Sequence, residues 1–204
     1  RRQSMQGIIV KSVSAPGGTC VGTAIDGRTV WTADYTTDTI YQLDRKGNVL
    51  KTIPFLLVEE AGIVLERSVI WISAINPDTI YLLSAGGDTI KSFAAPAGYP
   101  SALSSYGKYL FVGDFTANRI YMIDRNGIVV RQSGAVFTGI ANIATDGRNI
   151  FWCAGRGATL GRLDRNFVAL GPLGVVGLRC TGLAYNGKNL VAADMDNDKI
   201  HTIA

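Results

Sequence analysis

Three features of the 204-residue sequence predict an all-β fold built from repeats. The stretch "TIYQLDRKGNVLKTI" at 39–53 returns as "TIYLLSAGGDTIKSF" at 79–93 and as "RIYMIDRNGIVVRQS" at 119–133. Short β-branched and aromatic segments alternate with turns rich in Gly, Asp and Asn, and no amphipathic helical window interrupts them. Four such strands in about 40 residues are typical of one blade of a β-propeller. The sequence therefore predicts a five-bladed β-propeller with four antiparallel strands per blade.

Equivalent positions recur in five blocks of equal length. Blocks of 40 residues counted from Met5 align without an insertion or a deletion. One column is aliphatic throughout and holds Ile40, Ile80, Ile120, Leu160 and Ile200. A second column opens a tight turn and holds Asp26-Gly27, Tyr106-Gly107, Asp146-Gly147 and Asn186-Gly187. Asp-Gly and Asn-Gly suit two-residue hairpin turns, because both central residues of such a turn need positive φ.

The four strands of a blade follow in a fixed order, which the first complete repeat illustrates. The innermost strand is "GTAID" (22–26), and a hairpin turn leads to "TVWTAD" (29–34). The third strand is "TIYQLD" (39–44), and a turn ending at Gly47 leads to the outermost strand, "NVLKTI" (48–53). We expect the outermost strand to be an exposed edge, which a column of cations protects from edge-to-edge pairing. That column holds Lys11, Lys51, Lys91 and Arg131.

The two ends of the sequence supply parts of the same blade. The last block stops after a third strand, "KIHTIA" (199–204), whereas "GIIVKSV" (7–13) matches the fourth strand "GNVLKTI" (47–53). We therefore predict that the N-terminal strand completes the last blade, which closes the ring and removes an open edge. The prediction is a single domain over 1–204, with blades at 14–54, 55–94, 95–134, 135–174, and 175–204 together with 5–13.

Composition and charge narrow the classes of partner. Apolar residues make up 47% and charged residues 18% of the chain, as in an ordered globule. The longest apolar runs are shorter than the ~18 residues of a membrane helix, so we expect no membrane insertion. The formal charge of +4 is spread along the chain, and nucleic-acid binding is not expected without a clustered basic face. We expect a monomer, and no motif indicates a cofactor or a compartment.

The repeats resemble those of a known propeller family. The stretches "DGRTVWTADYTTDTIYQLDRKGNVLKTI" (26–53) and "GLAYNGKNLVAADMDNDKIHTIA" (182–204) resemble NHL-type repeats and are similar to blades of lyase- and gluconolactonase-like propellers. They share a hairpin glycine, a strand that ends in Ala-Asp, and Asp-x-Ile opening the third strand. NHL-type propellers usually have six or seven blades, so five is a departure; plant-type glutaminyl cyclase, some lectins and some glycosidases have five. Such repeats serve enzymes, receptors and scaffolds alike.

The resemblance implies that ligands bind on one face, at the mouth of the central channel. Two sets of loops would build this mouth: those before each innermost strand and those joining the second and third strands. Glu59, Glu60, Tyr99 and Arg179 lie in the first set. The two glutamates are either an acidic site, able to bind a cation or to act as acid and base, or solvated loop charges. Arg179 is either a clamp for an anionic group or an exposed side chain.

The second set of loops begins with an aspartate in three blades. Asp34, Asp114 and Asp194 either point inward as polar ligands or cap their turns by accepting backbone N–H bonds, and we favour the turn-capping interpretation. No metal site is predicted. Tyr35 and Phe115 follow two of these aspartates and are candidate aromatic platforms for a sugar or a peptide.

The positions of the cysteines and of the histidine in the repeat do not indicate catalytic roles. Cys20 and Cys180 occupy one column in blades that become neighbours when the ring closes, so they are either a disulfide or two separate thiols. His201, the only histidine, stands in a column of tyrosines within the blade, which argues against a Ser-His-Asp relay at the mouth. No catalytic motif with its required context occurs, so no catalytic residue is predicted.

Two functions remain open from the sequence. The favoured one is a non-catalytic binding or scaffold module that recognises a protein, peptide or glycan on its loop face. The alternative is a small lyase- or glutaminyl-cyclase-like enzyme with an acidic site at the central channel, formed by Glu59 and Glu60 with Arg179 as anion clamp.

Overall fold

The structure is a computed structural model that describes residues 8–55, 58–135, 139–154, 159–175 and 177–204. Within these residues, twenty β-strands form five four-stranded antiparallel sheets. The described residues contain no helix that is long and apolar enough to cross a membrane. The all-β prediction and the predicted number of blades are therefore confirmed.

Each of the first four blades is made from four consecutive strands, with hydrogen-bonded neighbours in chain order. Blade one contains β2 Cys20–Asp26, β3 Thr29–Asp34, β4 Thr39–Leu43 and β5 Val49–Pro54. Blade two contains β6 Val58–Glu66, β7 Val69–Asn76, β8 Thr79–Ser84 and β9 Thr89–Ala94. Blade three contains β10 Ala102–Tyr106, β11 Tyr109–Asp114, β12 Arg119–Ile123 and β13 Val129–Gln132. Blade four contains β14 Ile140–Thr145, β15 Asn149–Ala154, β16 Thr159–Asp164 and β17 Ala169–Val175.

Blade five is assembled from both ends of the described chain. Its strands are β18 Cys180–Tyr185, β19 Leu190–Asp194, β20 Lys199–Ile203 and, outermost, β1 Ile9–Ser14. Main-chain bonds join the ends: the Ile8 and Ala204 amides each donate to the other's carbonyl, at 3.2 and 2.9 Å, and Ala15 N donates to Asp198 O at 2.9 Å. The prediction that an N-terminal strand completes the last blade is confirmed. Residues 5–7 of the range predicted for this blade lie outside the described residues.

The innermost strands β2, β6, β10, β14 and β18 stand side by side around the axis, and β18 returns to β2. Side chains between neighbouring blades form the core. The aliphatic column of the third strands is its repeating element: Ile40, Ile80, Ile120 and Leu160 are at most 1% exposed, and Ile200 is 4% exposed. Full burial of such a side chain stabilises a fold by about 1.5–3 kcal/mol.

The turns opposite the mouth are held by short polar side chains. Asp44 Oδ1 accepts the amides of Lys46 at 2.7 Å and Asn48 at 2.9 Å. The side-chain amide of Asn48 and these backbone bonds hold the pKa of Asp44 below its usual value. Asp124 and Asp164 accept amides at the same positions in blades three and four, so the feature repeats.

Three lysines of the cation column on the outer strands fasten their blades to the next blade. Lys11 Nζ donates to Arg45 O at 2.5 Å, Lys51 Nζ to Ala85 O at 2.6 Å, and Lys91 Nζ to Arg125 O at 2.6 Å. Each bond crosses from one outermost strand to the turn before the next outermost strand. The column therefore bridges blades as well as placing charge on an exposed edge.

Candidate functional site

A cavity of about 380 Å³ opens at the mouth of the central channel. Its floor is a ring of small side chains, one from each blade, at the start of the innermost strands. These are Val21, Ala61, Ser101, Ala141 and Thr181. Its wall comes from a second column, at the end of the second strand or just after it: Tyr35, Ile75, Phe115 and Met195. Tyr99 and Arg179 complete the rim.

The aromatic part of the wall is fixed by contacts within the protein. The rings of Tyr99 and Phe115 pack at 5.3 Å between centroids and are tilted by 41°. Gly139, at φ +75°, lies beneath Phe115, and a Cβ on Gly139 would come within 2.9 Å of the Phe115 ring. Tyr35 and Phe115 are still 42% and 41% exposed. Both offer aromatic surface to a ligand, and Phe115, which is already held by Tyr99 and Gly139, does so at little cost in ordering.

Arg179 provides the charge that the described part of the rim presents. Its amide donates to Asp194 Oδ1 at 3.1 Å, which fixes the backbone, while its guanidinium lies 3.4 Å from Asp196 Oδ1. Both side chains of this ion pair are at least one-third exposed, so the pair contributes at most about 1 kcal/mol. The guanidinium is therefore available to an anionic group that enters the cavity.

Two hydroxyl groups on the floor are engaged in bonds between blades. Ser101 Oγ donates to Ile140 O at 2.6 Å, from blade three to blade four. Thr181 Oγ1 donates to Cys20 O at 2.6 Å, from blade five to blade one. A serine or threonine nucleophile needs a base that takes its proton. Here the protons are directed at backbone carbonyls, so these hydroxyls fasten the ring.

The three aspartates lie outside the cavity, where each joins the two loops of its blade. Asp34 accepts the amides of Thr19 at 2.9 Å and Thr37 at 2.9 Å. Asp114 likewise accepts Tyr99 N at 2.8 Å and Ala117 N at 2.6 Å. All three carboxylates are at most 1% exposed. The structure thus shows turn capping, and we call this arrangement the aspartate clasp.

In blade one, the hydrogen bonds of the clasp lower the pKa of its carboxylate despite burial. Burial alone would raise the pKa of Asp34, but the backbone bonds from Thr19 and Thr37, with their hydroxyl groups, outweigh it and lower the pKa. No cluster of three or more Asp, Glu, His or Cys side chains that could hold a metal ion occurs among the described residues.

His201 lies at the ring closure, away from the mouth cavity. Its Nδ1 is 2.7 Å from Ser12 Oγ on β1, and its Nε2 is 3.3 Å from Asp194 Oδ2. With Nε2 protonated, it donates to the aspartate and accepts the serine proton. The histidine therefore links the closing strand to the clasp of blade five.

Glu59 and Glu60 lie in strand β6 immediately before Ala61 of the floor. Glu60 pairs with Ala74 of β7 in the backbone register. Their side chains lie outside what the structure describes, so the acidic site at the channel stays a prediction.

The cysteine pairing differs from the alternative that linked Cys20 with Cys180. Cys180 forms a disulfide with Cys153, at a Cα–Cα distance of 6.3 Å, and Cys20 is a free, buried thiol. Residues of one column all point the same way around a ring, so two of them cannot face each other. Cys153, on the second strand of blade four, points forward to Cys180 in the core between blades four and five.

Ile75 and Met195 are cavity residues that attention to polar and aromatic side chains missed. The signal was in the sequence, because both stand in the column of Tyr35 and Phe115. The small residues of the floor could have been found in the same way.

Comparisons with known proteins identify the fold. No protein-family model matches the chain, and no curated protein matches it in sequence, so the resemblance to NHL-type repeats stays a prediction. The glutaminyl cyclase of Myxococcus xanthus is similar with a TM-score of 0.80 and 9% identity, over 97% of this chain and 95% of that chain. Virginiamycin B lyase of Staphylococcus aureus is similar with a TM-score of 0.60 and 13% identity, over 95% of this chain and 70% of that chain. A catalytically inactive variant of that lyase, in complex with quinupristin, is similar with a TM-score of 0.60 and 17% identity, over 93% of this chain and 67% of that chain.

Proposed function

We propose that this propeller is a non-catalytic binding module whose mouth cavity takes a large apolar or aromatic side chain of a protein or peptide partner. The observation that carries this proposal is the lining: aromatic and aliphatic walls, a floor of small residues, and hydroxyl groups engaged in bonds between blades. Binding pockets are mainly apolar with a few polar groups that set orientation. A volume of about 380 Å³ is near the lower end for such pockets and suits one anchor.

Arg179 gives the partner an orientation. A guanidinium at the edge of an apolar cavity favours a ligand whose apolar anchor has a carboxylate beside it, because charge-assisted bonds are about twice as strong as neutral ones. An acidic residue next to the anchor, or the carboxylate at the end of a peptide, supplies this group. The preference for a peptide over a glycan follows from the floor, whose two hydroxyl groups already donate to backbone carbonyls and offer few hydrogen bonds to a sugar.

An enzyme built on Glu59 and Glu60 is the competing function, and its support is the likeness in fold to a glutaminyl cyclase and a lyase. In the inactive lyase variant a histidine is replaced by alanine. The single histidine of this chain lies at the ring closure, bonded to Ser12 and Asp194. A histidine-dependent reaction in the mouth cavity would therefore have no histidine to use.

Selection from a random-peptide phage library against the immobilised protein tests the proposal. We expect enriched sequences to share a large apolar residue beside an acidic one, and synthetic peptides to bind the wild type. Phe115→Ala removes part of the wall and should weaken binding at least tenfold, or about 1.4 kcal/mol. Leu50→Ala, which removes an exposed apolar side chain on the outermost strand β5 and touches neither wall nor rim, is the control and should bind as the wild type does.

Two results would overturn the proposal. One is peptide binding that Phe115→Ala and Arg179→Ala leave unchanged. The other is glutaminyl cyclase or lyase activity that the double variant Glu59→Gln, Glu60→Gln abolishes while its circular dichroism spectrum stays the same.

A further inference from the structure

A second cavity, of about 370 Å³, lies at the opposite end of the molecule, between blades three and four. The turn joining β10 to β11 forms one side, and the turn after β16 forms the other. Its apolar lining consists of Tyr106, Tyr109, Phe111 and Met122. We call this cavity the lower groove. It is separate from the mouth cavity and from the function proposed for it.

The walls of the lower groove are held in place by neighbouring blades. Tyr106 is 48% exposed, but its ring lies against the backbone of Gly147 in blade four, where a Cβ would collide with it. Phe111 is 3% exposed and packs edge-to-face with Phe167 of blade four, at 6.4 Å between centroids. The apolar surface is therefore fixed before any ligand arrives.

Two exposed cations border this apolar surface. Lys108 Nζ lies 5.3 Å from the centroid of the Tyr109 ring, and Arg165 lines the other side. Among the described residues neither takes part in an ion pair, whereas the nearby Arg125 is paired with Glu66. Arg131, which donates to Asn166 Oδ1 at 2.9 Å, adds a third cation beside the groove.

The aspartates beside the groove accept hydrogen bonds from backbone amides of their own turns. Asp146 accepts the amides of Arg148 at 2.8 Å and Asn149 at 2.6 Å. Asp164 accepts Asn166 N at 2.8 Å. Both aspartates are half-buried, while the cations are exposed, so the surface offered to a partner is positive.

Positive charge also repeats around this end of the propeller. The turn between the first and second strands carries an exposed cation at one column in four of five blades: Arg28, Lys108, Arg148 and Lys188. Such a field raises the association rate of an anionic partner. The lower groove is where this field coincides with a preformed apolar cavity.

We infer that the lower groove binds an acidic peptide segment that carries one aromatic or large aliphatic anchor. The anchor enters the cavity beside Tyr106 and Met122, and carboxylates on either side meet Lys108 and Arg165. The shape favours a peptide over the other anionic partners. A flat lipid surface cannot enter a groove, and a nucleic acid needs open aromatic faces for stacking, whereas the Tyr106 ring lies against Gly147.

Isothermal titration with a synthetic heptapeptide tests the inference. The peptide has a central tyrosine and glutamate elsewhere; one comparison peptide replaces the tyrosine by alanine, and a second replaces the glutamates by lysine. We expect the acidic tyrosine peptide to bind more weakly as salt rises, the alanine peptide to bind at least tenfold more weakly, and the lysine peptide not to bind. Lys108→Glu with Arg165→Glu should reduce binding at least tenfold.

The matched control reverses two exposed cations at the same end of blade one, Arg28→Glu with Lys46→Glu, and should reduce binding less than threefold. In a Phe115→Ala background, which removes part of the mouth wall, the binding that depends on Lys108 and Arg165 should persist, which separates this site from the proposed function. Equal loss in the control and in the groove variant would overturn the inference, since it would show attraction by overall charge. So would tighter binding of a single-stranded oligonucleotide or of phosphatidylserine vesicles than of the acidic tyrosine peptide, with the same dependence on Lys108 and Arg165.

Discussion

Blade one and blade five contain the same columns, but they use them differently. In blade one, the third-strand tyrosine, Tyr41, reaches only Thr37, whose hydroxyl in turn donates to Asp34. In blade five the same position is His201, which bonds to Asp194 and to Ser12 of the closing strand. In blade one the chain runs from the third strand directly into the outer strand, whereas the outer strand of blade five does not follow its third strand in the sequence and is held there by hydrogen bonds and by the packing of Val13. The additional side-chain hydrogen bonds therefore occur in the blade whose outer strand comes from the other end of the sequence.

The cysteine column shows the same contrast. Cys20 of blade one is a free thiol buried to 2% exposure, and Cys180 of blade five is joined to Cys153 of blade four. The disulfide links the innermost strand of blade five to blade four, whereas the two chain ends meet at the outer strands of blade five. Equivalent positions in a repeat thus need not do equivalent work.

Removal of the closing strand should have the largest effect. A chain without residues 1–14 loses β1, and blade five then exposes β20 as an unpaired edge. We expect a chain that is unfolded or oligomeric, as measured by circular dichroism and light scattering. A folded monomer with an unchanged melting temperature would show that ring closure does not depend on β1.

Loss of the aspartate clasp should come next, and more so in blade one. Asp34→Ala leaves several part-buried amide and hydroxyl donors without an acceptor and should cost about 4 kcal/mol of unfolding free energy. Asp194→Ala, which removes fewer backbone bonds, should cost about 2–3 kcal/mol. Urea titration measures both, and the reverse order would contradict the difference between the blades.

The same clasp predicts the direction of acid destabilisation. The pKa of Asp34 is lower in the folded chain than its usual 3.8, so its contribution to stability is present above the unfolded pKa and is lost as pH falls through the folded pKa. Asp34→Asn should therefore flatten the fall in stability below about pH 4. If the unfolding free energy fell equally steeply with decreasing pH in the wild type and in Asp34→Asn, the lowered pKa of Asp34 would be contradicted.

The disulfide should contribute roughly 3 kcal/mol, because it closes a loop with a sequence separation of 27 residues. Cys153→Ala, compared with the wild type under oxidising and reducing conditions, measures it. Cys153→Ala should show no dependence on reductant, whereas the control Cys20→Ala keeps the disulfide and should lose stability in reductant as the wild type does. In the native state we expect no reaction with a thiol reagent at pH 8, since burial raises the pKa of Cys20 to about 12. Rapid labelling of Cys20 would contradict this.

The histidine link should have the smallest effect. His201→Phe removes the bonds to Ser12 and Asp194 and should cost about 1–2 kcal/mol. Tyr41→Phe removes the equivalent, more exposed hydroxyl of blade one and should cost less than about 0.5 kcal/mol. Equal losses at the two positions would remove the reason to regard blade five as specially reinforced.

The periodic sequence was sufficient to predict the blades and the closure, because each column carries its role five times. The columns also brought Tyr35, Phe115, Tyr99 and Arg179 to one cavity. Pairing between different columns, such as Cys153 with Cys180 or Lys51 with Ala85, could not be read in this way. It depends on which side chains of one blade face forward and which of the next face back, and that is set by three-dimensional packing.

The aspartate clasp has a consequence for how such a mouth can change. It holds both loops through their main-chain amides, which every residue except proline possesses. The side chains of Tyr99 and Tyr35, which take no part in the clasp, can therefore be exchanged while the loops keep their path. In such a propeller the clasp aspartates fix the backbone of the mouth loops, and the side chains on those loops can vary independently. A change of ligand then requires new side chains at the mouth but no new loop conformation.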